Sequence, residues 1–184
     1  GKLAFSRDLF VLLFLLRGMP FVDLAFLRRC DLQGNVITYH RRKTSRKLTV
    51  VVGKEAMEII QKYMYAIPDS PYLFPIIQNP GKDEYGQYAR MLRLQNYRLT
   101  QVANILGIRD RLSTYTARHT WATTALRQNY NSSLICDAMG HSSVKVTETY
   151  FQPYRDDEVN RMNSSLITYI LSKKKRGTDK KIRS

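Results

Sequence analysis

One change of hydrophobic period constrains this chain more than any other feature. Up to Leu27 the apolar residues fall at helical spacing. In "PFVDLAFLRR" they are Phe21, Leu24, Ala25 and Leu27, with Pro20 suited to the first helical position. From Leu32 the stretch "LQGNVITYHRRKTSRKLTVVV" holds two β-rich runs, Val36 to Arg41 and Leu48 to Val52, around the basic turn "RRKTSRK". Helical patterns then resume. The expected fold class is therefore mainly α with a small antiparallel β-sheet. A length of 184 residues fits one domain with a sizeable core.

The helical readings are specific. Ser6 is expected to cap a helix running to about Leu16, which Gly18 ends. "KEAMEIIQKYMYAI", Lys54 to Ile67, is amphipathic. "YGQYARMLRLQNYRLTQVANILGI" reads as one long helix or a broken pair, stopping at Gly107. "TARHTWATTALRQN" is helical with Trp121, Ala122, Ala125 and Leu126 on a buried side. Ser132 or Ser133 caps "SLICDAMG", which Gly140 ends. "VKVTETYF" is ambiguous, since its β-branched residues alternate with polar ones between two helices. Asp156 to Leu171 is a helix with Val159, Met162, Leu166 and Ile170 as its seam. The domain is expected to span 1–172, and the basic tail 173–184 to be disordered.

Charge narrows the function. Lys and Arg total 30 against 15 acidic residues, a formal net charge of +15, so a polyanion is the expected partner and nucleic acid the first choice. The apolar run "LFVLLFLL" is too short to span a bilayer, so no membrane role is expected. Two cysteines and three histidines do not spell a disulfide framework or a zinc site, and a reduced, intracellular setting is the simpler reading. There is no glycine-rich phosphate loop and no internal repeat. No metal or other cofactor is expected. The hairpin turn carries Arg41, Arg42, Lys43, Arg46 and Lys47, a density of cations that invites phosphate contact.

Chemistry at a phosphodiester without a metal needs cations on the nonbridging oxygens, a nucleophile, and an acid for the leaving oxygen. Guanidinium groups suit the first task because their donors form a rigid fork. Arg118 in "TARHTWAT", His141 after the helix-ending Gly140, and Tyr150 one element later are the candidates. "TYTARHTWATTAL" followed by "MGHSSVKVTETYF" resembles the two signature blocks of the tyrosine recombinase (phage integrase) family. The spacing from His141 to Tyr150 matches, as does the gap between the blocks. The resemblance covers Leu9 to Leu171. The wording "RGMPFVDLAFL" and "TYTARHTWAT" looks like integrases of Bacteroides-group mobile elements.

The resemblance implies a mechanism. Tyr150 would attack the scissile phosphate and form a 3′-phosphotyrosyl bond. Arg118 would hold the phosphate, and His141 would neutralise it or assist proton transfer. Lys43, before a Thr in the turn, resembles the family's general acid, with Arg41, Arg42 and Arg46 competing for that role. Arg41, Arg42, Arg46 and Lys47 are otherwise expected to bind DNA. Two positions depart from the family pattern. Tyr115 stands where a His is usual, and is expected to bind phosphate rather than act as a base. Pro20 stands where the first Arg is usual. Arg17 is expected to reach the same space, with Arg28 and Arg29 as alternatives.

The implied partners are double-stranded DNA and other recombinase protomers, with Asp156 to Leu171 as the docking helix in trans, or packed in cis. The family's N-terminal DNA-clamping domain is expected to be absent from this chain, and the setting to be the bacterial cytoplasm, at the nucleoid. Two other functions fit the same residues, a relaxing DNA topoisomerase with the same tyrosine chemistry and a noncatalytic DNA-binding module. A nicked suicide substrate separates catalysis from binding.

Overall fold

The structure, a computed structural model, describes residues 1–149 and 160–169. The chain divides into two compact units, Gly1–Phe151 and Gln152–Ser184. In the first unit α1 (Lys2–Leu15) and α2 (Phe21–Ala25) precede a sheet of β1 (Leu32–Gln33), β2 (Val36–His40) and β3 (Lys47–Val51). There follow α3 (Lys54–Tyr63), α4 (Glu84–Ile105), α5 (Thr114–Arg127), α6 (Ser132–Met139) and α7 (Val144–Glu148). In the second unit residues 160–169 are helical. The architecture is mainly helical with one small antiparallel sheet, as the period change implies. No helix among the described residues is long and apolar enough to cross a membrane.

Helix α1 is the centre of the first unit. Leu9, Leu12 and Leu13 are fully buried, and the helix packs against α3, α4 and α5. A helix apolar on most of its circumference has to be enclosed rather than laid on a surface. Ser6 does not cap it. The helix begins at Lys2, and Ser6 is buried within it, its carbonyl accepting from Gln95 Nε2 of α4 at 2.7 Å. Uninterrupted apolar residues from Leu9 onward carry the helix through the polar signal. Asp8 fastens α1 to α3 through Lys62 Nζ at 2.7 Å and the Tyr63 hydroxyl at 2.6 Å. Burial raises its pKa, but the bonds from Lys62, Tyr63 and Arg7 outweigh this and hold it at about 2.

The sheet has the order β1-β2-β3, with Ile37 opposite Val50 and Tyr39 opposite Leu48. These four side chains are buried and face the helices, while the alternate residues point outward. β1 adds a short edge that the sequence pattern does not announce. Two other elements end earlier than their patterns suggest. α2 stops at Ala25, where the chain turns to pair Arg28 with Tyr72, and α3 stops at Tyr63. Arg29 explains the second stop, donating to the carbonyls of Met64, Ile67 and Pro68 just beyond the helix. α4 is one unbroken helix, and the ambiguous "VKVTE" is the short helix α7.

Candidate active site

The turn between α1 and α2 builds one wall of a cleft. Arg17 and Gly18 both take left-handed backbone angles, with φ of 60° and 65°, and Met19 N–H closes back on the Leu13 carbonyl at 3.0 Å. This reversal aims the Gly18 carbonyl at Arg118 on α5, whose Nη1 donates to it at 2.5 Å. A Cβ at Gly18 would sit 3.1 Å from Arg118 Cα, so glycine permits both the angle and the approach.

The end of α6 builds the opposite wall. Gly140 adopts φ 64° and ψ 37°, and His141 N–H bonds back to the Cys136 carbonyl at 3.0 Å. This left-handed cap leaves the Met139 and Gly140 carbonyls pointing inward, at the negative end of the helix. Two guanidinium groups take them. Arg41 Nη1 donates to Met139 O at 2.7 Å and to Gly140 O at 3.2 Å, and Arg118 Nη2 donates to Met139 O at 3.0 Å. Arg118 Nη2 also lies 2.6 Å from His141 Nε2, and His141 Nδ1 lies 2.7 Å from the Thr147 hydroxyl.

Arg41 is held from behind by Asp23 on α2. Its Nε lies 3.1 Å from one carboxylate oxygen, and the other accepts the Arg42 backbone N–H at 3.0 Å. Burial pushes the Asp23 carboxyl up in pKa, against the Arg42 N–H and the Arg41 charge. Burial, together with the charges of Arg118, Arg41 and Lys43, pushes His141 down from 6.5 to about 4, so its ring is neutral near pH 7.

These groups open onto a cleft of about 320 Å³, lined by Pro20, Phe21, Arg41, Lys43, Tyr88, Tyr115, Arg118 and His141 among others. Of the residues singled out from sequence, Arg41, Lys43, Tyr115, Arg118 and His141 therefore meet in one place. Lys43 and Tyr115 are exposed at the rim, and Arg118 and His141 are buried in the floor. Tyr150 lies outside the described residues.

One expectation is corrected. Arg17 does not reach the cleft. Its left-handed angle sends the side chain to β3, where Nη1 donates to the Thr49 carbonyl at 3.2 Å, and it borders a separate apolar groove beside Phe14 and Trp121. Arg41, expected among the DNA-contacting cations of the turn, points inward. It is 6% exposed and lies in the cleft beside Arg118. Its neighbours do stay outside. Arg42 stacks over Phe26 at 3.8 Å, Arg46 pairs with Asp137 at 3.0 Å, and Lys47 is exposed on β3. Of the alternatives to Arg17, Arg29 is spent on the end of α3, and neither it nor Arg28 lines the cleft.

Sequence reasoning missed the inward role of Arg41, and also Asp23 and Thr147. For Arg41 a signal existed. Ile37 and Tyr39 are the buried parity of β2, and Arg41 continues it. Taken together, the floor offers two fixed guanidinium forks and an imidazole, with an ammonium at the rim. That set can hold and polarise a tetrahedral oxyanion.

A model of the phage integrase family matches residues 2–156. A tyrosine recombinase XerC of Thermodesulfovibrio yellowstonii is 26% identical over 163 residues, covering 81% of this chain and 51% of that protein. A tyrosine recombinase of Pseudothermotoga lettingae is 32% identical over 60 residues, 33% of this chain and 21% of that one. The chain thus spans about half or less of the curated relatives it matches. Among solved structures, the XerA recombinase superposes with a TM-score of 0.57 at 19% identity, over 88% of this chain and 61% of that one. The Tn1549 transposon integrase, in complex with transposon right end DNA, gives 0.62 at 14%, over 87% and 58%.

Proposed function

We propose that this chain, which belongs to the phage integrase family, cuts and rejoins DNA strands at specific sites through a covalent tyrosyl intermediate. The Tyr150 oxygen attacks the scissile phosphorus, a Tyr–O–P bond forms, and the bond to the 5′-oxygen breaks. The tyrosyl proton passes to water, and the 5′-oxygen gains one from the Lys43 ammonium at the rim. The reverse reaction, with the 5′-hydroxyl of a partner strand, restores a phosphodiester. Ester bonds are exchanged one for one, so no external energy is required.

The observation that carries this reading is the convergence of Arg41 and Arg118 on the Met139 carbonyl beside His141 Nε2. Arg41 takes the part of the family's first arginine, which Pro20 cannot play. Its Nε and Nη1 are anchored, while Nη2 makes no hydrogen bond among the described residues and is left for a phosphate oxygen. Arg118 holds a second oxygen, and His141 neutralises charge as it gathers. Tyr115 contributes a phenolic donor at the rim. Arg42, Arg46 and Lys47 on the hairpin bind the DNA backbone beside the scissile site.

The partners are double-stranded DNA and further protomers assembled on it. Helical residues 160–169 expose Met162, Leu166, Ile167 and Tyr169, the apolar side chains that a neighbouring protomer would cover. The finer placement, with integrases of Bacteroides-group mobile elements acting at the bacterial nucleoid, rests on "RGMPFVDLAFL" and "TYTARHTWAT".

The test is a nicked suicide substrate carrying the protein's own site, incubated with the full-length protein. A covalent protein–DNA adduct is expected, and Tyr150→Phe abolishes it. An adduct that persists in Tyr150→Phe removes Tyr150 as nucleophile, and no adduct from the unaltered protein sinks the catalytic reading.

A further inference from the structure

Thr147 is a polar side chain with no exposure at all, on a five-residue helix at the edge of the cleft. Nothing about packing requires a hydroxyl there, yet its oxygen lies 2.7 Å from His141 Nδ1. The direction of that bond follows from the other side of the ring. Arg118 can only donate, so His141 Nε2 accepts from it at 2.6 Å. The proton of the neutral imidazole therefore sits on Nδ1, and Nδ1–H donates to the Thr147 oxygen.

This arrangement suits a ring that must change charge. When a phosphate enters the cleft, Arg118 Nη2 turns from Nε2 to a phosphate oxygen, and the proton drawn to the ring goes to Nε2. Nδ1–H still donates to the same hydroxyl oxygen, so the ring does not have to turn. A carboxylate in place of the hydroxyl would add a negative charge beside Arg118, Arg41 and Lys43, and would compete with the phosphate for them. A hydroxyl serves both charge states without doing so. Thr147 also precedes Tyr150 by a single helical turn's worth of sequence. The group that orients the imidazole thus belongs to the segment leading to the nucleophile.

We propose that Thr147 is a positioning residue, whose hydroxyl accepts from His141 Nδ1–H through both protonation states and ties the imidazole to the segment that bears Tyr150. The proposal rests on the reaction proposed above for its kinetic consequence, and on the hydrogen bond alone for its structural one. Charged groups around the ring are Arg118 from α5 and Arg41 and Lys43 from the hairpin, with Arg46 donating to the His141 carbonyl at 3.3 Å and paired with Asp137 of α6.

Two variants and two readouts test it in the full-length protein. Thr147→Val keeps the shape and removes the acceptor, whereas Thr147→Ser keeps the acceptor and removes a methyl group. On the suicide substrate, single-turnover cleavage by Thr147→Val is expected to fall by about 10- to 100-fold, by analogy with hydrogen-bond partners that orient metal-ligating histidines. DNA affinity stays within roughly threefold, and the acidic limb of the pH–rate profile moves. Thr147→Ser restores most of the rate. Equal losses in both variants would assign Thr147 to packing and overturn the proposal, as would full activity in Thr147→Val. The ring N–H signals of His141 give a readout independent of cleavage. A downfield, slowly exchanging Nδ1 proton is expected in the unaltered protein and in Thr147→Ser, and an upfield, fast-exchanging one in Thr147→Val, where Arg118 still holds the tautomer. An unchanged Nδ1–H shift and exchange rate in Thr147→Val refute the proposal even if the unaltered protein forms no adduct, a result that would count separately against the reaction itself.

Discussion

Arg41 and Arg118 donate to the same oxygen, the carbonyl of Met139, at 2.7 and 3.0 Å, although 77 positions separate them (118 − 41). The shared acceptor fixes the spacing of the two guanidinium groups before any ligand is present. It predicts that fork geometry matters as much as charge. Arg41→Lys keeps a cation near Asp23 but cannot bridge Met139 and Gly140, and is expected to slow suicide-substrate cleavage by about 100-fold. Arg17→Ala, outside the cleft, should leave cleavage within roughly threefold. A rate loss in Arg17→Ala matching that of Arg41→Lys would return the role to Arg17.

His141 sets a pH dependence whose sign can be worked out. Burial and the surrounding cations lower its pKa from 6.5 to about 4, so between these values the unfolded chain binds more proton than the folded one. Stability then rises with pH across that window, and the contribution is lost as pH falls from about 6.5 toward 4. A phosphate anion in the cleft reverses the electrostatics and raises the pKa of the ring. DNA binding near pH 6 should take up a proton, and His141→Gln should remove that uptake. Calorimetry in buffers of different ionisation enthalpy measures it.

Gly140 is predicted to tolerate no side chain. A Cβ there would lie 2.7 Å from Arg41 Cδ and 2.8 Å from Leu48 Cδ1, at a left-handed backbone angle. Gly140→Ala should cost about 1–2 kcal/mol from the angle alone, and should displace Arg41 as well. Denaturant unfolding gives the first effect. The second is a cleavage defect that persists under conditions where the variant is fully folded.

Tyr115 is 56% exposed at the rim, in the first turn of α5. As a phosphate donor rather than a base, it should matter modestly. Tyr115→Phe is expected to reduce cleavage by roughly threefold to tenfold, about one neutral hydrogen bond, with no change in the shape of the pH–rate profile. A flattened basic limb would instead make Tyr115 a proton acceptor.

The pattern of the chain made much of this legible, and the limits have physical causes. Helical and alternating periods gave the element types, because burial repeats at those intervals in α1, β2 and α5. Arg118, His141, Lys43 and Tyr115, which line one cleft, were singled out because their spacing resembles a family's. Arg17 went astray because proximity in sequence to Pro20 says nothing about a left-handed angle that throws its side chain to the other side. Arg41 was grouped with the DNA-contacting cations of the turn, because five cations in seven residues read as one basic surface. Its inward parity along β2 carried the better information, but only Asp23 and the Met139 carbonyl, both distant in sequence, make a buried guanidinium tolerable there. Thr147 was invisible, since nothing local separates it from Thr149.

The bond from Arg17 to Thr49 has a further consequence. β3 is the last strand of its sheet, so its outer rim is where a foreign strand could pair. By occupying the Thr49 carbonyl, Arg17 puts a charged side chain across that rim and leaves an incoming strand one acceptor short. An arginine outside the cleft thus guards a sheet edge against pairing with a neighbouring strand.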